Sequence, residues 1–358
     1  MSGSHDPISA VLVGTTVLAL GMIGGCPPDS GGPSEPLPLS AVRTWAYQIQ
    51  ELYAPGAVDA LAASSYDLLV IEPTRTDYSS PEARQFDTAA AVAQLKASAA
   101  SDGLHRKLVI AYIDIGQAEN WRWYWQWSED WAPGQPRPTD WPEWILTPDP
   151  DGWAGNFVVA FWHEGWQDSV LTGSNHPPAA GRDFVSILDE VVSDGFDGVY
   201  LDWVEAYDDP AVVAAAETAN VDPAAAMVDF IAAIRVYGQA RRPGFIVIQQ
   251  NAAALIEDAP AIVGVVDAIA QEDTWYGGQA DCDWERPCGH DVAQDAQESA
   301  EILRLLDLYR AADKSVFTVD YTIAHAAEVY ADAAARGYVP YCSRTALSRL
   351  TTTPPPGE

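Results

Sequence analysis

The stretch GFDGVYLDWVEAY, residues 195–207, runs as a dry strand through Val199, Tyr200 and Leu201 and then stops on Asp202, with Trp203 beside it and Glu205 close behind. An ionised carboxylate buried without a partner costs several kcal/mol, comparable with the stability of a whole domain, so this placement needs a reason. A second acid, Glu272, interrupts the apolar run AIAQEDTWYG. Glu72, Asp114 and Asp320 fall late in three further strand-like runs. Any one of them alone reads as well as a helix-capping or loop-ordering acid. Asp202 and Glu272 stand apart because each breaks an apolar run near aromatic residues, a setting that tunes a carboxyl for chemistry. Two carboxyl groups facing each other across a sugar ring suit glycosidic cleavage: one donates a proton to the leaving oxygen, and the other attacks the anomeric carbon or activates water. An apolar or like-charged surrounding raises one pKa while hydrogen bonds hold the other down.

Acids so spread in sequence need a frame that aims them at one place. Apolar strand-like runs recur at residues 44–50, 66–73, 107–116, 195–203, 244–251, 266–275, 315–321 and 337–343. Helical patterns lie between them. Phe184, Ile187, Leu188, Val191 and Val192 form one apolar stripe; Met227, Phe230, Ile231 and Ile234 form another; Ile302, Leu305, Leu306 and Tyr309 form a third. Strands buried on both faces and alternating with helices describe a parallel sheet, and eight such units favour a single (β/α)8 TIM barrel over residues 43–350. A doubly wound open sheet is the alternative, but no Gly-rich dinucleotide fingerprint follows an early strand. In a barrel the active groups sit at the C-terminal strand ends, where these acids fall. After the third strand, residues 119–170 hold most of the 14 Trp. This insertion is either a packed lid or a wall of rings for stacking on sugars.

Composition narrows the class. A hydrophobic content of 48% excludes a disordered chain. The net charge of −32 would repel nucleic acid and anionic lipid and attract cationic ligands, although a solvated acidic surface accounts for it more simply. No Gly-x-Ser-x-Gly elbow, phosphate loop or His-Glu-x-x-His helix occurs, so neither metal nor cofactor is expected. His163 and Glu164 read as surface or lid residues. The apolar run within residues 1–25 ends in Ile23-Gly24-Gly25-Cys26, which resembles the lipobox of bacterial lipoproteins, with Cys26 as the lipidated residue. No Lys or Arg precedes Arg43, a departure from the usual charged start of an export signal. Residues 26–42 read as a Pro/Gly/Ser-rich tether and 351–358 as a disordered tail. The expectation is an exported, lipid-anchored or secreted monomer. In that oxidising setting Cys282 and Cys288 are expected to pair as a disulfide, with Cys342 a buried thiol.

Together, WAYQIQ, VIEP, AYIDIGQAENWR, FWHEGWQD, GFDGVYLDWVEAY and QEDTWY resemble the endo-α-1,4-polygalactosaminidase family over about residues 44–343. The motif residues are Tyr112, Ile113, Gly116, Glu119 and Arg122, together with the strand closing on Asp202. The resemblance implies an exported (β/α)8 glycoside hydrolase that cleaves α-1,4-linked, partly cationic galactosamine polysaccharide. It further implies Asp202 as nucleophile and Glu272 as acid/base of a retaining, endo-acting mechanism. Asp114 stands where the family commonly has a small residue, and Glu72 where Asp is expected; both add negative charge. The other expected substrate-binding residues are Tyr47, Tyr112, Tyr321, Trp203, Trp275, Asn251, Glu72, Asp114 and Asp320, and for Tyr47 a place in a barrel layer is an equal reading. Glu119 and Arg122 are expected to pair and order the insertion. A polysaccharide-binding lipoprotein without activity, and a hydrolase of another α-linked glycan, are the rival readings.

Overall fold

The computed structural model describes residues 33–73, 81–127, 131–174, 184–278, 284 and 290–351. Cys26 and the run before it, Cys282, Cys288 and the tail beyond residue 351 lie outside the described residues.

Eight parallel strands form the central sheet: β1 (Trp45–Tyr47), β2 (Leu68–Ile71), β3 (Leu108–Asp114), β4 (Gly198–Asp202), β5 (Ile246–Gln250), β6 (Ala268–Glu272), β7 (Ser315–Asp320) and β8 (Val339–Cys342). Sequence neighbours are sheet neighbours throughout, the order of a (β/α)8 barrel. The ring closes between β8 and β1 by contacts other than a regular ladder. The Ile49 and Gln50 N–H groups both donate to the Leu347 carbonyl, at 3.1 and 3.2 Å. Gln48 Nε2 donates to the Ser348 carbonyl at 3.1 Å, and the Tyr66 hydroxyl to that of Thr351 at 3.2 Å.

Aromatic rings fill the barrel. Tyr200 of β4 meets Tyr47 of β1 at 5.0 Å and Trp45 at 6.2 Å between ring centroids. These strands are three places apart in the ring, so the contacts cross its interior. Alternation along a strand then fixes the acids. With Tyr200 pointing inward, Asp202 points inward one repeat higher, and the register sets Asp114 of β3 directly beside it. In the same way Ala270 is level with Phe317, which meets Trp45 at 5.4 Å, so Glu272 faces the interior above it.

Helices coat the outside with their apolar stripes inward. Met227, Phe230, Ile231 and Ile234 are all buried on the helix Pro223–Arg241, whose first turn is capped by Asp222. Ser186 caps the helix Ile187–Ser193 in the same way. The insertion forms an antiparallel sheet of Gln117–Glu119, Asn156–Val159 and Ile145–Pro148. Its rings pack chiefly on one another: Trp141 stands edge to face against Trp125 at 4.8 Å, Trp131 at 5.3 Å and Phe157 at 4.6 Å. Trp166 is fully buried and donates its indole N–H to the Ile115 carbonyl at 2.8 Å, pinning the insertion to the exit of β3.

Packing begins earlier than the expected boundary at residue 43. Leu37 and Val42, inside the stretch read as a tether, are buried, and Leu37 N–H donates to the Arg106 carbonyl at 3.1 Å. Two apolar side chains with a place in the core outweigh the loop-like composition around them. Cys342 is a buried free thiol, its pKa raised by desolvation.

Candidate active site

The exits of β4, β5 and β6 share an unusual backbone. Trp203, Asn251 and Asp273, the residues that follow the last of each strand, all adopt left-handed conformations, with φ of 57°, 51° and 51°. Such strain in non-glycine residues persists only where the surroundings impose it, and it collects at functional sites. After Trp203 the chain enters the 3₁₀ turn Val204–Asp208. Gly116, just past β3, lies against this turn, where a Cβ would come within 2.3 Å of the Trp203 carbonyl oxygen. Only glycine lets the two exits approach so closely.

These turns gather three carboxyl groups. Asp202 accepts a hydrogen bond from the Tyr112 hydroxyl on Oδ2 and from the Trp203 N–H at 2.7 Å on Oδ1. Glu272 accepts from the Tyr321 hydroxyl on Oε1, while its Oε2 takes Asn251 Nδ2 at 3.4 Å. The same amide nitrogen reaches Glu205 Oε1 at 3.2 Å. Asn251 is itself held through Oδ1, which accepts from the Glu272 N–H at 2.8 Å and Gln271 Nε2 at 3.2 Å. Asp202, Glu205 and Glu272 all keep some exposed surface, so a ligand can reach them.

Burial and mutual repulsion raise their pKa values. Desolvation, then the charges of Glu272 and Glu205, push Asp202 well above the usual carboxyl range. Desolvation also raises Glu272 against the hydrogen bonds it accepts, and lifts Glu205 to about 7. Asp114 is pushed well up by burial and by Asp202, although the N–H groups of Gly116 and Gln117 donate to its Oδ1 at 2.9 and 2.8 Å. Among the described residues no Lys, Arg or His pairs with Asp202, Glu205 or Glu272. Acids so placed resist ionising together, because burial and the charge of each neighbour favour the protonated form.

The remaining expected residues divide. Tyr112, Tyr321 and Asn251 hold the acids. Tyr47 is fully buried beneath them, a layer residue stacked on Trp45 and tilted against Tyr112 and Tyr200. Glu72 is engaged elsewhere: with Glu119 it grips Arg122, whose Nε lies 2.6 Å from Glu119 Oε2. The expected Glu119–Arg122 pair is therefore present, with Glu72 as its third member. Trp203 packs half-buried on the core near Gly116.

Asp320 and Trp275 lie away from the acids. Tyr321 reaches Glu272, so alternation turns Asp320 outward, where its Oδ1 accepts from the N–H groups of Trp275 and Tyr276 at 2.6 and 2.8 Å. That grip, with the left-handed turn at Asp273, places Trp275 in the lining of a separate cavity of about 600 Å3 beside the helices Ala296–Ala311 and Ala326–Arg336. Glu205, beyond the end of β4, is a member of the cluster that is not among the residues expected from the sequence. Its signal in the sequence is an acid set between apolar Val204 and Ala206, both of which the structure buries fully.

Comparison with known proteins bears on this arrangement. An uncharacterized protein of Deinococcus radiodurans is 32% identical over 328 residues, covering 90% of this chain and 87% of that protein. One from Methanocaldococcus jannaschii is 27% identical over 314 residues, 84% of this chain and 75% of that protein. The glycoside hydrolase domain of PelA from Pseudomonas aeruginosa shares the fold with a TM-score of 0.56 at 15% identity, covering 87% of this chain and 98% of that domain. Aspergillus fumigatus Ega3, solved in complex with galactosamine, gives a TM-score of 0.53 at 16% identity, over 86% of this chain and 94% of Ega3. The profile of glycoside-hydrolase family GH114 spans residues 30–355, and the chain belongs to that family, the endo-α-1,4-polygalactosaminidase family that its motifs resemble.

Proposed function

We propose that this glycoside hydrolase cleaves α-1,4-linked, galactosamine-containing polysaccharide within the chain, with retention, using Asp202 and Glu272. The observation that carries the reading is the convergence of the two acids from β4 and β6 on one rim, each accepting a tyrosine hydroxyl, with no cation beside them among the described residues. Protonated Glu272 gives its proton to the glycosidic oxygen as the bond to the anomeric carbon breaks, while Asp202 forms a bond to that carbon. Glu272, now ionised, takes a proton from water as the oxygen of that water displaces Asp202. Desolvation and the charges of Glu272 and Glu205 favour protonated Asp202, and the hydrogen bonds from Tyr112 and Trp203 oppose them, favouring the ionised form that this step needs. The galactosamine bound by Ega3 and the charge of −32 support an amino-sugar substrate. The run ending at Cys26 supports a place outside the cytoplasm, on a lipid anchor.

The test is release of reducing ends from partly deacetylated α-1,4-polygalactosamine. Wild type should release them, and Asp202→Asn and Glu272→Gln should each lose at least about a thousandfold in kcat, roughly 4 kcal/mol of barrel-held transition-state stabilisation. Both variants should still bind the polymer. No release by wild type, with binding retained, would mark a polysaccharide-binding protein instead.

A further inference from the structure

Packing accounts for most rings of the insertion, and Trp153 is the exception. Its side chain is 43% exposed, and no other Trp among the described residues is classed with the exposed ones. Trp131 and Trp166 donate their indole N–H groups to carbonyls, whereas that of Trp153 has no partner among the described residues. A single apolar side chain on a surface needs no explanation by itself. The turn that carries this one does. Asp149 is buried, and its Oδ1 accepts from the N–H groups of Asp151, Gly152 and Trp153 at 2.8, 2.7 and 2.9 Å. The Trp153 carbonyl accepts from the Asn156 N–H at 3.2 Å. Gly155, with φ of 93°, brings the turn so close to Trp121 that a Cβ there would stand 2.6 Å from its ring. A large apolar ring is thus held in water on a backbone already fixed from both sides.

The same contacts tie the turn to the acids. Asp114 lies beside Asp202 in the register of β3 and β4, and its Oδ1 accepts from the Gln117 N–H at 2.8 Å. Gln117 in turn donates through Nε2 to Asp149 Oδ2 at 2.6 Å and accepts Asn156 Nδ2 on Oε1 at 2.7 Å. One rigid relay therefore runs from the acid cluster to the base of the Trp153 turn. Electrostatics agree with this placement. Desolvation chiefly lifts Glu205, and the charge of Asp151 adds to it, as that of Glu272 does. Asp151 is itself raised by burial, then by Asp149 and by Asp209, the residue that closes the turn carrying Glu205. Trp153 stands on the β3 side of the mouth, beside the acids but not among them.

We propose that Trp153 forms a sugar-binding subsite of its own: its indole face stacks on the apolar face of a pyranose unit of the polysaccharide, away from the bond being cleaved. This rests on the reading of the protein as a galactosamine-polymer hydrolase and adds where the rest of the chain is held. In a galacto-configured ring the axial O4 leaves the hydrogens of C3, C4 and C5 together on one face, an apolar patch that an indole covers well. The amine lies outside that patch, so Trp153 recognises the ring whether or not it is acetylated. The fixed turn leaves little to order on binding. Contacts remote from the reacting carbon are equally strong before and in the transition state, so they lower KM and leave kcat as it is.

Trp153→Ala should raise KM about tenfold on α-1,4-polygalactosamine, by the same factor for the deacetylated and the N-acetylated polymer, with kcat unchanged. Trp153→Tyr keeps a stacking face and should recover most of the loss. The urea midpoints of both variants should match wild type, since the ring takes no part in the core. Calorimetry on the Asp202→Asn background, where the polymer is not turned over, should show the same tenfold loss of affinity when Trp153→Ala is added. Unchanged KM and affinity in Trp153→Ala, an equal loss in Trp153→Tyr, or a fall in kcat in place of the rise in KM would each overturn the subsite and leave the hydrolase standing. A wild type that binds the polymer without cleaving it, with affinity lost in Trp153→Ala, would keep the subsite and remove the cleavage. A wild type that does not bind the polymer overturns the subsite as well.

Discussion

At the scale of the residue, the acids are defined by their donors. Tyr321 donates to Glu272, and a donor stabilises the ionised form of a carboxyl. Replacing Tyr321 with Phe should raise the pKa of Glu272 further. If Glu272 is the general acid, activity is lost as it deprotonates, so the alkaline limb of the kcat/KM profile should move to higher pH, while kcat falls about tenfold. A pH–rate profile of Tyr321→Phe with its alkaline limb unmoved would take Glu272 out of the acid role. At this scale the sequence was legible wherever a strand ended. Asp202, Glu272 and Asp114 are where an apolar run followed by a carboxyl puts them. Asp320 could have been set aside on the same grounds, because it and Tyr321 cannot face one side of a strand. Trp275 could not, since nothing in the letters DTW announces a left-handed residue at Asp273.

At the scale of the element, the eight strands match the apolar runs within a few residues, because continuous burial on both faces leaves a strong pattern. The insertion was less legible. A dense set of Trp residues fits a ligand wall and a packed lid equally well, and only ring geometry separates the two. Trp141, buried and in edge contact with Trp125, Trp131 and Phe157, belongs to the packing. Trp141→Ala should cost about 3–5 kcal/mol of stability, the range for emptying a large aromatic from a core. A urea melt should show the loss, while KM for the polymer stays near the wild-type value at low temperature. A raised KM with an unchanged melt would place the ring against substrate.

At the scale of the molecule, stability should depend on pH in the reverse of the common sense. A carboxyl with a higher pKa in the folded state than in the unfolded one binds more protons when folded, so stability falls as pH rises between the two values. Burial lifts Asp320 and Glu205 to about 7 and Asp273 to about 8, from unfolded values near 4. Asp291, held at about 2 by its hydrogen bonds and Arg344 against desolvation, acts oppositely, and its contribution is lost only in strong acid. The net charge of −32 adds self-repulsion on the same alkaline side. The urea midpoint should therefore be highest near pH 5 and fall steadily to pH 8. Added salt should recover the part due to surface charge and leave the part due to buried acids. A midpoint flat or rising over that interval would mean that the buried acids are solvated in a way their surroundings do not suggest.

The join between β8 and β1 carries a consequence for how such a chain is made. Residues 347–351 are the clasp: Leu347 takes the amides beyond β1, while Ser348 and Thr351 hold Gln48 and Tyr66. A nascent chain that has emerged only as far as β8 leaves the first strand as an open edge, with free amides and the rings of Trp45 and Tyr47 unsealed. Productive folding of the whole ring thus waits on a handful of residues synthesised three hundred positions after the strand they fasten.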